Sequence, residues 1–198
     1  MALILASQSS TRRAMLTAAG IPYEALFPGV DEEAAKKALV AREMRARDLA
    51  DALAELKAVK LSLRYPGRLV LGCDQTLALD DGILFDKAPD RGTLVAQLKQ
   101  LSGQTHRLFS AAVIAENGTP VWRFVDRAKM TMRTMTDDFI DDYVAVEGDD
   151  LLGCVGGYRI ERRGAQLFSK IEGCHFTILG LPLLPLLDYL RTRGVIGT

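Results

Sequence analysis

Two arginines follow three serines near the start of the chain, in the stretch LASQSSTRR. The stretch closes an apolar run and begins a predicted helix. Arg12 and Arg13 would therefore lie at the positive end of the helix dipole, at a cost of about 0.3–1 kcal/mol each. The hydroxyls of Ser7, Ser9 and Ser10, the free backbone N–H groups of the helix start and the guanidinium groups could together bind an anion. The segment therefore suggests a site for a phosphate-bearing ligand.

A structural explanation of the same residues stays open. Ser9 or Ser10 would then be an ordinary N-cap, whose side chain accepts a hydrogen bond from the helix backbone. The arginines would pair with nearby carboxylates such as Asp31 and Glu32. The segment by itself is compatible with both explanations.

A second polar group follows another apolar run. The run LVLGC (residues 69–73) is typical of a buried strand, and we predict that it ends at Asp74, followed by Gln75. Ligands of open α/β sheets collect at the carboxyl ends of strands. If the strands before Ser7 and Asp74 are parallel neighbours, the anion site would face a carboxylate that could hold water or a metal ion. The alternative is a structural role for Asp74 in a turn or cap.

Two lysines could supply further positive charge. Lys57 lies on a predicted helix and Lys87 lies in FDKAPD, and each could neutralise phosphate oxygens, although a lone lysine is often a solvated surface residue. The chain has neither a G-x-x-x-x-G-K-[ST] loop nor a G-x-G-x-x-G fingerprint, which excludes P-loop and Rossmann sites. The three cysteines and the histidines His106 and His175 show no metal-ligand spacing, so we expect no structural zinc and no disulfide.

The spacing of apolar residues predicts the helices and strands that position these residues. Helical spacing predicts a helix over residues 47–63, and Asp90 and Thr136 are predicted helix N-caps. TLALDDGILF and LFSAAVIAENGTPVWRFV each place a turn signal between apolar runs, which predicts two hairpins. Pro182 is predicted near the start of a final helix. Helices mixed with hairpins predict an α/β fold with a mixed sheet.

Composition limits the class of protein further. The 198 residues include 25 Lys or Arg and 25 Asp or Glu, so the formal net charge is zero. This balance argues against a nucleic-acid or membrane-surface partner. No apolar run approaches about 18 residues, and the N-terminus lacks a signal-peptide pattern, so we expect a cytoplasmic protein. The length and the absence of a linker predict one domain over residues 1–198.

Taken in order, these segments resemble the Maf family of nucleoside triphosphate pyrophosphatases. The resemblance runs from LILASQSSTRRAML through GVDEE, LAELKA, LGCDQT, GILFDKAPD, QLKQLSGQTHRLFSAAV, DDYV and GGYRIERRGAQLF to GLPLLPLL. It implies a Maf/Ham1-like fold, in which a mixed sheet is flanked by helices and two lobes surround a nucleotide-binding cleft, and it implies a possible homodimer. It also implies hydrolysis of a nucleoside triphosphate to the monophosphate and pyrophosphate with a divalent metal, Mg²⁺ or Mn²⁺.

The resemblance assigns roles to individual residues. The family's catalytic aspartate matches Asp74, and an acidic family position matches Glu32, so these two carboxylates would hold the metal. Whether Asp74 is the general base, a metal ligand or both stays open. The family's substrate-binding positions and a neighbouring arginine match Ser7, Ser9, Arg12, Arg13, Lys57 and Lys87.

Within the family, the chain is most similar to the branch of 7-methyl-GTP pyrophosphatases. That branch has Gln directly after the aspartate, as Gln75 is here, and its later motif matches Cys154 and Glu161. Gln75, Glu161 and Thr11 would contact the base, although Thr11 stands where the branch tends to have a large aromatic residue. Two alternatives stay open: a dTTP/UTP pyrophosphatase of the same family, and a non-catalytic regulator of cell division.

Overall fold

The structure is a computed structural model in which residues 2–197 are described. The strands are β1 (Leu3–Ala6), β2 (Tyr23–Ala25), β3 (Val70–Leu79), β4 (Leu84–Phe85), β5 (Thr105–Glu116), β6 (Thr119–Met132) and β7 (Phe168–Glu172). The helices are α1 (Ser10–Ala18), α2 (Glu32–Val40), α3 (Ala46–Ser62), α4 (Arg91–Leu101), α5 (Asp137–Glu147), α6 (His175–Ile178) and α7 (Leu183–Thr192). Two short 3₁₀ helices cover Gly148–Gly153 and Arg163–Leu167.

The strands form one mixed sheet in the order β2-β1-β3-β5-β6-β7, with β4 paired to β3. β1 is parallel to both β2 and β3, and Ala6 at its end aligns with Gly72. β4 is antiparallel to β3, and β7 is antiparallel to β6. The predicted mixed α/β sheet flanked by helices is confirmed. The strand that precedes Ser7 and the strand that contains Asp74 are parallel neighbours, as the predicted anion site requires.

The chain divides into two compact units. The first contains the residues up to Gln75, then Phe109–Asp126, then the residues from Cys174 onward. The second contains Thr76–Leu108 and Arg127–Gly173. The prediction that residues 1–198 form a single Maf-like domain stays a prediction.

In the first unit, β1 is buried along its whole length, as expected for a parallel strand with an uninterrupted apolar run. The helix predicted over residues 47–63 is α3, which is confirmed. Its alanines Ala50, Ala54 and Ala58 recur every four residues and form a fully buried stripe that packs with Ala111, Val113 and Ala115 of β5. Small side chains on both elements let the α3 backbone approach the sheet closely.

In the second unit, the hairpin and the two helix caps that short sequence patterns predict are confirmed. The β3–β4 hairpin pairs Leu77 with Phe85 across a turn that contains Gly82. Asp90 caps α4 by accepting a 2.7 Å hydrogen bond from the backbone of Thr93. Thr136 caps α5 in the same way. Turn and cap residues act on their own backbone neighbours, which is why short sequence patterns predict them.

β3 is longer than the apolar run LVLGC that predicts it. The predicted end of a strand at Asp74 is wrong, because β3 continues to Leu79, where its second half pairs with β4. Helix α2 was not predicted from the sequence. Cys73, Cys154 and Cys174 are free thiols. Over residues 2–197, no helix combines the length and the apolar character needed to cross a membrane.

Candidate active site

The serines of the first motif form the start of α1. Ser7 directly follows β1 and is buried, and its hydroxyl accepts a 3.2 Å hydrogen bond from the backbone of Ser9. Ser9 is the N-cap of α1, and its hydroxyl accepts a 3.3 Å hydrogen bond from the backbone of Arg12. Of the two N-cap candidates, the structure therefore selects Ser9, while Ser10 is the first helical residue. The cap satisfies one N–H of the first turn, and the other orphan N–H groups are the ones that can bind an anion.

Arg12 connects three segments of the first unit. Its Nε donates to the carbonyl oxygen of Gly180 at 2.8 Å, and its Nη1 lies 3.3 Å from the carbonyl oxygen of Cys73 and 3.4 Å from the Ser7 hydroxyl. These partners are neutral, unlike the carboxylates of the structural explanation. Across residues 2–197, no described hydrogen bond uses Nη2 of Arg12, so this nitrogen can donate to an anion.

Two further predicted substrate-binding residues share the first turn of α1. Thr11 is half-buried, and Arg13 is exposed. The backbone carbonyl of Arg13 accepts a 3.1 Å hydrogen bond from the hydroxyl of Tyr23. The structure therefore places both residues beside Arg12 on one turn, and their contact with a substrate stays a prediction.

A buried lysine joins the two predicted metal-binding carboxylates. Nζ of Lys57, on α3, lies 2.8 Å from Oδ1 of Asp74 on β3 and 2.8 Å from Oε2 of Glu32 on α2. It also donates to the carbonyl of Cys73 at 3.4 Å, so each of its three N–H groups has an acceptor. The side chain of Asp74 is 13% exposed and that of Glu32 is 49% exposed. Asp74 is therefore held firmly but reachable by water, and Glu32 is the partner that is easier to release.

The position of Lys57 depends on a glycine of β3. A Cβ on Gly72 would stand 2.1 Å from the carbonyl oxygen of Ala54 and 2.7 Å from the backbone nitrogen of Ala58. Only glycine therefore allows α3 to lie directly on β3 at this point. Lys57 lies between these two alanines in the sequence. The close contact therefore brings its ammonium group to Asp74.

The carbonyl oxygen of Cys73 lies between the two cations of the site, since it accepts hydrogen bonds from Lys57 and from Arg12. The thiol of the same residue is fully buried, and this burial raises its pKa to about 11. A thiol with that pKa is protonated at neutral pH and is not a nucleophile. The side chain of Cys73 therefore supplies no thiolate at this point.

Gln75 faces protein groups that sequence reasoning missed. Its Nε2 lies within 2.9–3.1 Å of the Ser110 hydroxyl and the carbonyl oxygens of Thr177 and Ile178. None of these residues carries a motif, because they meet Gln75 only through the fold. The segment GLPLLPLL, quoted above, begins at the nearby Gly180.

Three other predicted residues belong to the second unit. Lys87 is exposed and follows β4. Glu161 is exposed in a turn ahead of the 3₁₀ helix Arg163–Leu167, and Cys154 is half-buried. The roles of Lys87 and Glu161 in substrate binding stay predictions.

The carboxylates of Glu32 and Asp74 suit a metal ion that is also coordinated by a bound ligand. Over the described residues 2–197, no cluster of three or more His, Cys, Asp and Glu side chains could hold a metal by itself. Glu32 and Asp74 nevertheless converge on Lys57 from two elements. Mg²⁺ typically binds to one or two carboxylates, substrate phosphates and water rather than to an all-protein cage. The two carboxylates therefore suit such an ion.

The fold and the site together define an α/β protein in which the serine-capped start of a helix and an arginine lie beside a pair of carboxylates. The chain belongs to the Maf family, whose "Maf-like protein" model matches residues 2–193.

The chain is similar to named relatives over nearly its whole length. The "Nucleoside triphosphate pyrophosphatase" of Ruegeria pomeroyi is 50% identical over 99% of this chain and 98% of the relative. The protein of the same name from Caulobacter vibrioides is 53% identical over 97% of this chain and 96% of the relative. Among solved structures, a HAM1 protein from Coxiella burnetii has a TM-score of 0.42 and 13% identity, covering 67% of this chain and 73% of that one.

Proposed function

We propose that this protein is a nucleoside triphosphate pyrophosphatase that hydrolyses the bond between the α and β phosphates. The observation that carries the proposal is the junction at the Cys73 carbonyl, where Arg12 and Lys57 meet beside the carboxylate of Asp74. Two cations suit a polyphosphate, and the carboxylate suits activation of water. Relatives that carry this activity in their names align with nearly the whole chain, which supports the proposal.

The triphosphate would bind to the start of α1. The Ser7 hydroxyl, the orphan N–H groups of the first turn and Nη2 of Arg12 can donate to phosphate oxygens, and the helix dipole favours negative charge there. Lys57 would bind a phosphate only by giving up an acceptor, and the half-exposed Glu32 is the easiest one to release. We propose that the exposed side chains of Arg13 and Lys87 add positive charge that attracts the triphosphate.

In the chemical step, a water molecule attacks the α phosphorus. Asp74 accepts the proton of this water, and Oδ2 is the oxygen available for it, because Oδ1 is bound by Lys57. The bond from the α phosphorus to the bridging oxygen breaks, and its electron pair leaves with pyrophosphate. General base catalysis of this kind typically contributes about 10²–10⁴ in rate.

The proposal includes a divalent metal. Glu32 and Asp74 would hold Mg²⁺ or Mn²⁺ together with phosphate oxygens and water. When bound, the ion would neutralise part of the negative charge of the phosphates. We place the reaction in the cytoplasm and expect no nucleic-acid partner.

For the substrate, we propose 7-methyl-GTP or a similarly modified purine triphosphate. The carboxylate of Glu161 can accept hydrogen bonds from N1–H and the exocyclic amino group of a guanine-like base, whereas thymine and uracil offer one such donor. The positive charge of a 7-methylated ring strengthens this contact. Thr11 is too small to stack on a base, so we expect weaker selectivity than an aromatic residue gives. Activity on dTTP and UTP is the alternative within the family.

A hydrolysis screen tests the proposal. Purified protein is incubated with 7-methyl-GTP, GTP, dTTP and UTP in the presence of Mg²⁺ or Mn²⁺, and the products are separated by chromatography. We expect pyrophosphate and the nucleoside monophosphate, with the highest kcat/KM for 7-methyl-GTP. Orthophosphate and a diphosphate would show that a different bond is cleaved, and a folded protein without activity on any triphosphate would favour a non-catalytic role.

A variant of Glu161 tests the substrate class separately. Glu161→Gln keeps the size of the side chain but replaces one acceptor oxygen with a donor, so it should lower kcat/KM for 7-methyl-GTP more than for dTTP or UTP. A preference for pyrimidine triphosphates that this substitution does not change would overturn the purine assignment and leave the pyrophosphatase activity standing.

A further inference from the structure

Two buried hydroxyl residues outside the predicted site form a network in the first unit. Ser110 and Thr177 are both fully buried. The Ser110 hydroxyl donates to the carbonyl oxygen of Thr177 at 2.7 Å and accepts from Nε2 of Gln75 at 2.9 Å. The Thr177 hydroxyl donates to Oδ2 of Asp126 at 2.5 Å. Buried polar groups that are fully partnered fix a single local geometry, because each unmade hydrogen bond is costly.

The network holds the turn that follows α6. The Thr177 carbonyl accepts from Ser110 and Gln75, and it also accepts from the backbone N–H of Gly180 at 3.0 Å, which closes the turn. Gln75 lies 3.0 Å from the carbonyl of Ile178 in the same turn. The backbone of residues 177–180 is thus held at the carbonyls of Thr177 and Ile178, by the side chains of Gln75 on β3 and Ser110 on β5.

This turn also binds Arg12, the arginine of the predicted anion site. The Gly180 carbonyl accepts the 2.8 Å hydrogen bond from Nε of Arg12. Gly180 has φ +94°, and a Cβ there would stand 3.4 Å from Nη2 of Arg12 and 3.6 Å from Oε1 of Gln75. Gly180 therefore lies against both side chains, and any movement of the turn changes the direction of the guanidinium.

We propose that Ser110 and Thr177 are positioning residues for the triphosphate site, and that they orient Arg12 through the Gly180 carbonyl. Only the identity of the ligand rests on the function proposed above. A guanidinium that is oriented before binding loses less conformational freedom when it meets a phosphate. The effect concerns the phosphate end of the substrate, so it is the same for every base.

Ser110→Ala tests the proposal, with Ser62→Ala as a matched control. Ser62 is also fully buried in the first unit, and its hydroxyl donates to Val59 and accepts from Gly118, outside the network. Ser110→Ala should raise KM about tenfold for every triphosphate that the protein hydrolyses, with kcat changed less than about twofold. Ser62→Ala should keep the wild-type KM. Equal KM values in the two variants would overturn the proposal.

A second pair of variants separates the hydroxyl from packing. Thr177→Val keeps the shape of the side chain but loses the donor to Asp126, whereas Thr177→Ser keeps the donor. We expect KM to rise in Thr177→Val and to stay near the wild-type value in Thr177→Ser. A rise in Thr177→Ser alone would show that only packing matters here.

A readout without nucleotide makes the inference independent of the proposed function. In ¹⁵N-labelled protein, the Nε–H of Arg12, assigned with Arg12→Lys, should exchange slowly because it is bound to Gly180. Ser110→Ala should speed this exchange and Ser62→Ala should not. If the wild type hydrolyses no triphosphate, the proposed function fails and this measurement still decides the inference. If it hydrolyses triphosphates but the exchange is the same in both variants, the inference alone fails.

Discussion

Replacing Gly72 with alanine should separate α3 from β3 and thereby uncouple Lys57 from Asp74. The added Cβ would stand 2.1 Å from the Ala54 carbonyl oxygen, whereas ordinary contacts begin at 3.4 Å. The helix must therefore retreat by roughly 1 Å, which lengthens the 2.8 Å bond from Lys57 to Asp74 beyond hydrogen-bonding distance. Overpacking of this kind lowers the free energy of unfolding by about 1–3 kcal/mol. A displacement of about 1 Å at a catalytic group can lower kcat/KM by roughly 10².

The assay is a double-mutant cycle on kcat/KM for the preferred triphosphate. The single variants are Gly72→Ala and Lys57→Met. If the glycine acts through the lysine, Gly72→Ala should cost much less activity in the Lys57→Met background than in the wild type. Gly153→Ala is the control for the substitution itself, because a Cβ on Gly153 meets nothing within 4 Å. Additive losses in the cycle, or wild-type activity in a folded Gly72→Ala variant, would refute the reasoning.

Three further predictions concern the proposed general base Asp74, the proposed phosphate-binding residue Arg12 and the buried His106. Asp74→Asn should lower kcat by at least about 10² while the protein still folds, as measured by initial rates and circular dichroism. Arg12→Ala should mainly raise KM, because it removes a charge-assisted contact worth roughly 1.5–3 kcal/mol; an unchanged KM would remove Arg12 from the site. Burial lowers the pKa of His106 from 6.5 to about 4, so the unfolded chain takes up a proton first as the pH falls. The free energy of unfolding in urea should therefore fall by up to about 3 kcal/mol from pH 6.5 to pH 4, and His106→Gln should reduce this dependence.

Features with local causes could be predicted from the sequence. Asp90 and Thr136 cap helices because each side chain binds its own backbone a few residues ahead. The turn at Asn117 and Gly118 is marked by residue type, and both residues adopt positive φ. The apolar runs of β1 and β3 predicted buried strands, and the structure pairs the two strands in parallel, which meets the condition set for the anion site.

The parts that sequence reasoning missed depend on contacts between distant segments. The end of β3 was placed too early because its extension beyond Asp74 depends on the pairing of Leu77 with Phe85. Gly180 lies 168 positions from Arg12 along the chain, and no pattern links the two. The sequence grouped Lys57 with the phosphate-binding residues, but its hydrogen bonds to both carboxylates appear only in three dimensions.

The oxygen that Arg12 and Lys57 share belongs to the main chain, so no substitution of the Cys73 side chain can delete it. Replacing this thiol changes how the interior is filled. The distance between the two positive charges should stay the same, because both charges bind the main chain of β3. The main chain of β3 therefore sets the distance between these two positive charges, which are the ones we propose to bind a polyphosphate, and this distance does not depend on the side chain at position 73. A substitution at position 73 that still fills the interior should therefore leave Arg12 and Lys57 at the same distance from each other.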